Sequence, residues 1–439
     1  MELLLGFLSS FFILLFGLYK GIYIGFCVFT SLLIFTLIAL RQGHSFRDIR
    51  RRALNSAKKS LVVIRVFILI GLVTASWLTA GTIPAIVYYA LRIMNPRLFV
   101  LFSFITSCLV SYMLGTSLGT ASTIGIVLII MARTGDINLN LVGGAILGGC
   151  YFGDRCSPMS SSANLISNLT GTKFYPMLKN FRRTTLMPLI ISILIYFLFS
   201  INNPLNTAES TILDDLSNYF TINFIVLLPA VVMLILSIFQ INVRKSMFLS
   251  AVMGSIIALT IQRVELMSLA RNLIFGFSLD DSNPLSSILR GGGLLSMIKP
   301  GIVIFISCAM VGVLEEMGIF EKTYQVFKGV KSRSQLFKAT AISSFISAAF
   351  GGNQSIAVVM VNSIMEKIYQ RLEVDNYQLA TDISNTAIVI SPMIPWNIAN
   401  FVIANNLGLN PALIVPYAFY LFILPIYNYI HLAKSERNS

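Results

Sequence analysis

Charged residues are scarce in this sequence: Asp, Glu, Lys and Arg make up only 11% of the 439 residues, while 56% are hydrophobic. So few charges cannot cover such an apolar chain with a water-soluble surface, which excludes a soluble globular protein. Histidine occurs twice, and the five cysteines lie in or beside apolar stretches without metal-ligand spacing. We therefore expect neither metal chemistry based on these residues nor any other cofactor.

Long apolar runs are the dominant feature that is present. Crossing the hydrocarbon core takes about 20 helical residues, and further apolar stretches are interrupted by Gly, Ser and Pro. The sequence predicts an all-α polytopic membrane protein with about 11 to 13 transmembrane segments, some of them interrupted or re-entrant. The clearest runs are residues 2–19, 22–40, 61–79, 98–114, 184–200, 219–240, 246–262, 298–317 and 412–430.

Basic residues outnumber acidic ones, which gives a net charge of +14. They concentrate between apolar runs, as the positive-inside bias of cytoplasmic loops predicts, so we expect contact with the lipid bilayer and no nucleic-acid partner. Segment 41–60 carries seven Lys and Arg residues and one acid, whereas loop 201–218 is acidic and loop 263–297 is mixed. This distribution predicts a multi-pass protein of the bacterial inner (cell) membrane. Loops 201–218 and 263–297 should lie outside, and both termini should be cytoplasmic.

Three pairs of related motifs suggest an internal repeat. Ser-Pro-Met occurs at 157–159 and again at 391–393, polar clusters with glycine begin at 115 and 352, and apolar runs end at 81 and 318. The sequence predicts an N-terminal hairpin with a basic loop (1–60), a first transport repeat (61–200), connecting helices (201–297), a second repeat (298–431) and a cytoplasmic tail (432–439). Charge places the start of the first repeat inside and that of the second outside, so the repeats are predicted to be inverted, as in many secondary transporters.

The first polar cluster, residues 115–123, lies between apolar runs and has no charge that would bring it to a membrane surface. Because unpaired backbone groups in lipid are costly, this cluster should line a cavity or be buried in protein. A helix-packing face of small residues is the alternative. Its candidate binding residues are Thr116, Ser117 and Thr120.

The second polar cluster, residues 153–164, combines Asp154 with hydroxyl groups around the helix-breaking Pro158. Their oxygens are hard ligands of the kind that a small cation prefers. A carboxylate in a site of low dielectric can accept a proton and a cation in turn, which is the simplest basis of exchange. Alternatively, Asp154 pairs with Arg155 near an interface. The candidates here are Asp154, Ser157, Ser160, Ser161 and Asn164.

The second repeat offers a comparable set of oxygen-bearing side chains. Asp382 is either a binding residue or a charge next to the membrane, and we expect Na+ at Asp154 or Asp382. The candidates in this repeat are Asn353, Gln354, Ser355, Asp382, Asn385, Ser391 and Asn397.

Several motifs occur in order along both repeats: Gly81-Thr82-Ile83-Pro84, Tyr151-Phe152-Gly153-Asp154-Arg155, Gly351-Gly352-Asn353-Gln354-Ser355 and Pro395-Trp396-Asn397. From about residue 45 to 430 the chain resembles the NhaC family of sodium/proton antiporters through these motifs. The resemblance implies exchange of Na+ for H+, and malate/lactate exchangers are among the relatives. Two departures concern acids of the family: Ser161 replaces one, and Ser384 with Asn385 stands where the family tends to carry Glu-Asp.

The main functional hypothesis is a secondary active transporter, not an enzyme, that exchanges Na+ for H+ by alternating access around Asp154 or Asp382. An ion-coupled exchanger of an organic acid or an amino acid is the alternative, because the missing acids make the site less negative. The expected partners are thus monovalent cations and, in the alternative, one of these small solutes. An intramembrane enzyme or passive channel is disfavoured, since no His-Glu metal pair, nucleotide loop or nucleophile elbow is present.

Overall fold

The computed structural model describes residues 2–20, 22–135, 137–205, 212–239, 241, 243–280, 283, 285–286, 289–318, 327 and 329–438. Over these residues the regular structure is helical, with one isolated β-bridge between Phe277 and Gly291. The predicted all-α membrane fold is confirmed. The helices are α1 (Glu2–Tyr19), α2 (Ile24–Arg41), α3 (Phe46–Lys59), α4 (Leu61–Thr79), α5 (Thr82–Ile93), α6 (Phe99–Leu114), α7 (Ser117–Thr120), α8 (Ile126–Thr134), α9 (Leu139–Cys156), α10 (Ser161–Thr170), α11 (Phe174–Asn202), α12 (Ile212–Tyr219), α13 (Leu228–Ile238), α14 (Val243–Thr260), α15 (Leu266–Phe275), α16 (Ile298–Glu316), α17 (Arg333–Gly351), α18 (Gln354–Arg371), α19 (Asn376–Ile390), α20 (Ile398–Leu407), α21 (Pro411–Ile414) and α22 (Phe419–Asn438).

By length and composition, five helical segments of the described chain can span a bilayer singly, and the total rises to nine if four bent pairs each count as one span. The sequence predicts 11 to 13 for the whole chain, whereas this count covers the described residues only, and in it α1 enters as a shorter apolar helix, Leu5–Leu14. The runs 219–240 and 412–430 lie in bent pairs with angles of 94° and 51°. Within run 219–240, Asn223 caps a new helix by accepting hydrogen bonds from the Ile225 and Val226 amides. The five single segments are Ile24–Arg41, Pro96–Leu114, Ser117–Thr134, Phe174–Asn202 and Leu295–Glu316.

The basic segment that the sequence assigns to the cytoplasm forms α3, which packs along α16. Arg52 Nε donates to Glu316 at 3.0 Å, and Ser56 Oγ donates to Glu315 at 3.4 Å. The two acids at the end of α16 therefore hold the basic helix against the transmembrane bundle.

The first helical hairpin consists of α6 followed by α7 and α8, with its tip at residues 115–116 and a π-helical turn at 121–125. Its two open ends lie together, because the Leu205 amide donates to the Pro96 carbonyl at 3.0 Å and the Leu205 side chain packs directly on Gly135. The tip therefore points into the protein. We call the face that holds residues 96, 135 and 205 the outer face, following the prediction from charge.

The second helical hairpin consists of α17 and α18, with its tip at Gly352 and Asn353. Its open ends also lie together: Arg371 Nη2 donates to the Val330 carbonyl at 2.9 Å. We call this face the inner face.

Two interrupted helices connect the outer and inner faces. The first, α9 with α10, begins directly after α8 and ends at Thr170, whose carbonyl accepts from Asn376 Nδ2 at 2.9 Å. The second, α19 with α20, begins at that same Asn376 and ends at Leu407, whose carbonyl accepts from Arg133 Nη2 at 2.7 Å. The two hairpins thus enter from opposite faces, which is the inverted arrangement expected of such repeats.

Glycines let α6 and α9 pack backbone against backbone. A Cβ on Gly153 would lie 2.0 Å from the Ser111 carbonyl carbon, and one on Gly149 would lie 2.6 Å from Ser107 Cβ. Close packing of this kind is how small residues hold transmembrane helices together. It fixes the end of α9 beside the tip of the first hairpin.

Candidate ion-binding site between the hairpin tips

Asp154 lies in the last turn of α9, where the tips of both hairpins meet, and is only 3% exposed. Its Oδ2 accepts hydrogen bonds from Ser162 Oγ at 2.9 Å and from Gln354 Nε2 at 2.8 Å. The backbone amide of Ser117 faces the same carboxylate. Neutral donors from α10, α18 and α7 therefore surround one buried acid, and they come from both repeats.

The charge of Asp154 is balanced by dipoles and not by a fixed cation. Ser117 is the first residue of α7 and its amide faces the carboxylate, so the partial positive charge of this helix N-terminus acts on Asp154, while Gln354, the first residue of α18, reaches it with its side chain. Among the described residues, Asp154 forms no ion pair with Lys or Arg. Among the described residues, a mobile cation or a proton would therefore not have to displace a basic side chain from this carboxylate.

The chain break after α9 sets the direction of the Asp154 side chain. Pro158 cannot continue the helix, and Ser157 Oγ accepts from the Met159 amide at 3.0 Å. Ser160 then caps α10 by accepting from the Ala163 amide at 3.0 Å, while its hydroxyl donates to the Asp154 carbonyl. The hydroxyls around Pro158 therefore replace the hydrogen bonds that the broken helix has lost.

The remaining candidates of the first repeat lie close to this break but make other contacts. Thr120 Oγ1 donates to the Thr116 carbonyl at 2.8 Å, within the hairpin tip. Asn164 Nδ2 donates to the Ser160 carbonyl at 2.8 Å, and Asn164 and Ser161 are both exposed. The structure thus gives Thr120 and Asn164 local bonds and leaves Ser161 on the surface of α10.

In the second repeat, Gln354 is the candidate whose side chain reaches Asp154. Asn353 accepts from the amide of the exposed Ser355 at 2.8 Å and so caps α18. Asn397 Nδ2 donates to the Ala348 carbonyl at 2.7 Å, which ties the break between α19 and α20 to the second hairpin. Ser391 Oγ donates to the Ala387 carbonyl at 2.7 Å. These contacts stabilise the break and the tip.

Asp382 lies far from this site, near the inner face. Its carboxylate forms an ion pair with Arg333, at 2.6 Å from Nη1 and 2.8 Å from Nη2, and accepts from Tyr369 OH at 2.5 Å. Tyr369 follows Gln354 by fifteen residues on α18, so Asp382 and Asp154 are separated by about 22 Å along that helix. The two acids belong to different sites, and Asp382 already has a fixed cation.

Asn385 contacts Arg155, which is fully buried. Arg155 Nη2 also donates to Thr184 Oγ1 at 2.7 Å, and Nη1 donates to Thr185. Its guanidinium lies over the Phe181 ring, 5.5 Å from the ring centroid. Arg155 therefore does not pair with Asp154: it links α9 to α11 and to α19 of the other repeat.

In the described part of the chain, the side chains around Asp154 do not form a cluster of metal ligands. No group of three or more His, Cys, Asp or Glu side chains that could hold a metal occurs in the described part of the chain. Asp154 instead offers one carboxylate beside hydroxyl and amide groups. The carboxylate and the Ser162 hydroxyl carry oxygens that can contact a small cation, whereas Gln354 presents its N–H group to Asp154.

A large cavity of about 1330 Å³ opens on the outer face and leads toward this site. Asn406 of α20 lines it and donates to Ser122 Oγ at 3.0 Å. Ser122 lies five residues after Ser117, or about 8 Å along the helix. The cavity therefore comes within roughly one and a half helical turns of the segment that faces Asp154.

Sequence reasoning missed several residues that the structure places at functional positions. Ser162 belongs to the serine run but was not a candidate, and Arg155 follows Asp154 directly yet was considered only as its partner. Arg133 and Arg290 line the cavity. Their signal in the sequence is that basic residues on a predicted outer face oppose the usual charge bias.

The sequence is similar to those of several antiporters over most of its length. The chain is 26% identical over 417 residues to the malate-2H(+)/Na(+)-lactate antiporter of Bacillus subtilis. This alignment covers 94% of this chain and 89% of that protein. It is 24% identical to the Na(+)/H(+) antiporter NhaC of Alkalihalophilus pseudofirmus, over 91% of this chain and 88% of that protein. It is 26% identical to the arginine/ornithine antiporter ArcD of Halobacterium salinarum, over 88% of this chain and 81% of that protein.

These relatives are named as antiporters of different solutes, so they agree on ion-coupled or solute-coupled exchange and differ in what is exchanged. The family model for Na+/H+ antiporters matches residues 149–433, which include the end of α9 with Asp154 and the whole second hairpin. The chain is therefore a multi-pass membrane transporter that belongs to the Na+/H+ antiporter family.

Proposed function

We propose that this antiporter exchanges Na+ for H+ and that Asp154 carries both ions in turn. The observation that supports this most strongly is the position of Asp154: it is buried between the two hairpin tips, with neutral donors only. Several relatives are named Na(+)/H(+) antiporters, which supports the same pair of ions.

Competition between the ions at one carboxylate gives the coupling. A buried carboxylate without a fixed cation loses the solvation of bulk water, so it is stabilised either by a proton or by a cation in direct contact. Both cannot occupy the same oxygens. If the protein changes its open face only when Asp154 is neutralised, each Na+ that leaves Asp154 must be replaced by one proton.

Movement of the hairpins gives the access. The cavity reaches from the outer face toward Ser117, and the Asp382 and Arg333 ion pair lies near the inner face. We propose that the two repeats tilt against each other so that the tips open Asp154 to one face at a time. Gln354 is positioned to report occupancy, because its Nε2 bonds both Asp154 and Ser162.

The test uses purified protein in liposomes with a pH-sensitive dye inside. Adding Na+, Li+ or K+ outside should drive proton movement in the wild type, and Asp154→Asn should reduce the rate by at least about a hundredfold, since a charged ligand to the ion is lost. Asp214→Asn, an exposed carboxylate far from both tips, is the matched control and should keep the wild-type rate.

Two outcomes would contradict the proposal. Wild-type exchange in Asp154→Asn would remove this carboxylate from the mechanism. A proton signal that appears only with malate, lactate or an amino acid would instead support the alternative exchanger of organic solutes.

A further inference from the structure

The cavity on the outer face is strongly basic. Five cationic side chains line it and one acidic side chain, Asp280, is found among the described lining residues. The cations are Arg133, Arg263, Arg271, Arg290 and Lys299. An entry route used by cations alone would be expected to carry the opposite charge, because like charges lower the local cation concentration.

Two of these cations, Arg133 and Arg290, line the same cavity. Arg133 is half-buried at the end of α8 and interacts with Arg290 as a like charge. In the described part of the chain neither side chain forms an ion pair. Gly408 leaves room for the Arg133 guanidinium, since a Cβ there would lie 2.6 Å from Nη2. Two guanidinium groups held in this way repel each other unless an anion lies between them.

An unpaired hydroxyl gives a second, independent indication of a ligand. Thr74 lines the same cavity, is 5% exposed, and its Oγ1 has no hydrogen-bond partner among the described residues. A buried polar atom without a partner calls for an explanation, and a bound molecule or water is one explanation. Asn405 and Asn406 add amide groups to the lining of the cavity.

The cavity wall beside Arg133 is apolar, which favours an organic ligand over an inorganic anion. Ile126, Ile129 and Ile130 line it on successive turns of α8. A guanidinium group binds a carboxylate through two parallel hydrogen bonds, while the isoleucines would cover an aliphatic chain.

We propose that this cavity is a binding site for a small organic anion, with the carboxylate held by Arg133 and Arg290 and the hydrocarbon part against α8. The inference rests on the proposed antiport and names a solute that enters by the same outer route. It also explains why five basic residues are kept on a face where membrane proteins usually avoid them.

The test measures binding of radiolabelled succinate and lactate to the protein in lipid nanodiscs, with neutral succinamide, chloride and phosphate as competitors. Saturable binding of a carboxylate is expected, with no competition from succinamide and little from the inorganic anions. Because Arg133 also holds the Leu407 carbonyl, the variant is Arg290→Gln, which should weaken binding by about tenfold or more. Arg97→Gln, with the same charge change at an exposed residue outside the cavity lining, is the control and should bind as the wild type does.

The outcomes separate this inference from the proposed exchange. No saturable binding of either carboxylate, equal binding by Arg290→Gln, or equal displacement by chloride or phosphate would overturn the organic-anion site. If Na+-driven proton movement persists in that case, the role of Asp154 stands. Asp154→Asn should bind the carboxylate as the wild type does. If the wild type binds the carboxylate but shows no cation exchange, only the proposed exchange is contradicted.

Discussion

The ion pair between Asp382 and Arg333 offers the sharpest test of which acid carries ions. Asp382 is 2% exposed and Arg333 is 21% exposed, with N–O distances of 2.6 and 2.8 Å. Asp382→Asn keeps the size of the side chain but leaves the guanidinium without its counter-charge. Breaking a buried pair from one side typically costs about 3–5 kcal/mol. We expect Asp382→Asn to lower the unfolding temperature by roughly 5 °C, because the shift per kcal/mol falls with chain length.

Removing both charges should restore most of the lost thermal stability. The double variant Asp382→Asn with Arg333→Gln leaves no unpaired charge, so its unfolding temperature should return to within about 2 °C of the wild type. The surface pair of Asp48 and Arg51, at 3.0 Å and 43% and 68% exposed, is the matched control. Asp48→Asn should cost less than about 1 kcal/mol.

Thermal unfolding in detergent, followed by tryptophan fluorescence, and proton movement in liposomes are measured on the same preparations. The structure predicts that the double variant retains exchange, since Asp382 only stabilises the inner face. An Asp382→Asn protein as stable as the wild type but unable to exchange would refute the reasoning, because Asp382 would then act on the transported ion itself.

Two further substitutions test the hairpin tip and the buried arginine. Gly352 has φ +60° and a Cβ there would lie 2.7 Å from Ser307 Cβ, whereas Gly171 has φ +65° and open space around it. Both changes to Ala cost about 1–2 kcal/mol for the backbone. Only Gly352→Ala adds a clash with Ser307, so it should lose more thermal stability and more exchange activity than Gly171→Ala. Equal losses would show that the tip is not tightly packed. Arg155→Lys keeps the charge but cannot bond Thr184, Thr185 and Asn385 together, so it should be less stable by about 2–4 kcal/mol than Arg97→Lys. Equal melting of the two lysine variants would contradict the linking role of Arg155.

Local chemistry alone determined the helices and most of their interruptions. The runs 2–19, 61–79 and 98–114 match the observed helices to within a residue, because the length of an apolar helix depends only on neighbouring side chains. Pro158, Gly115 and Gly352 mark real breaks for the same reason. The runs 219–240 and 412–430 were wrong as straight spans, since hydropathy does not register a cap such as Asn223.

Only the tertiary structure decided which of the oxygen-rich segments meet. Asp154 and Gln354 are 200 residues apart and touch because two inverted hairpins point at each other across the membrane. From the sequence Asp154 and Asp382 were equal candidates, and the ion pair with Arg333 distinguishes them. Composition and periodicity describe each helix against lipid, whereas the partner of a buried charge is set by helices far away in the chain, and so it becomes visible only once they are packed.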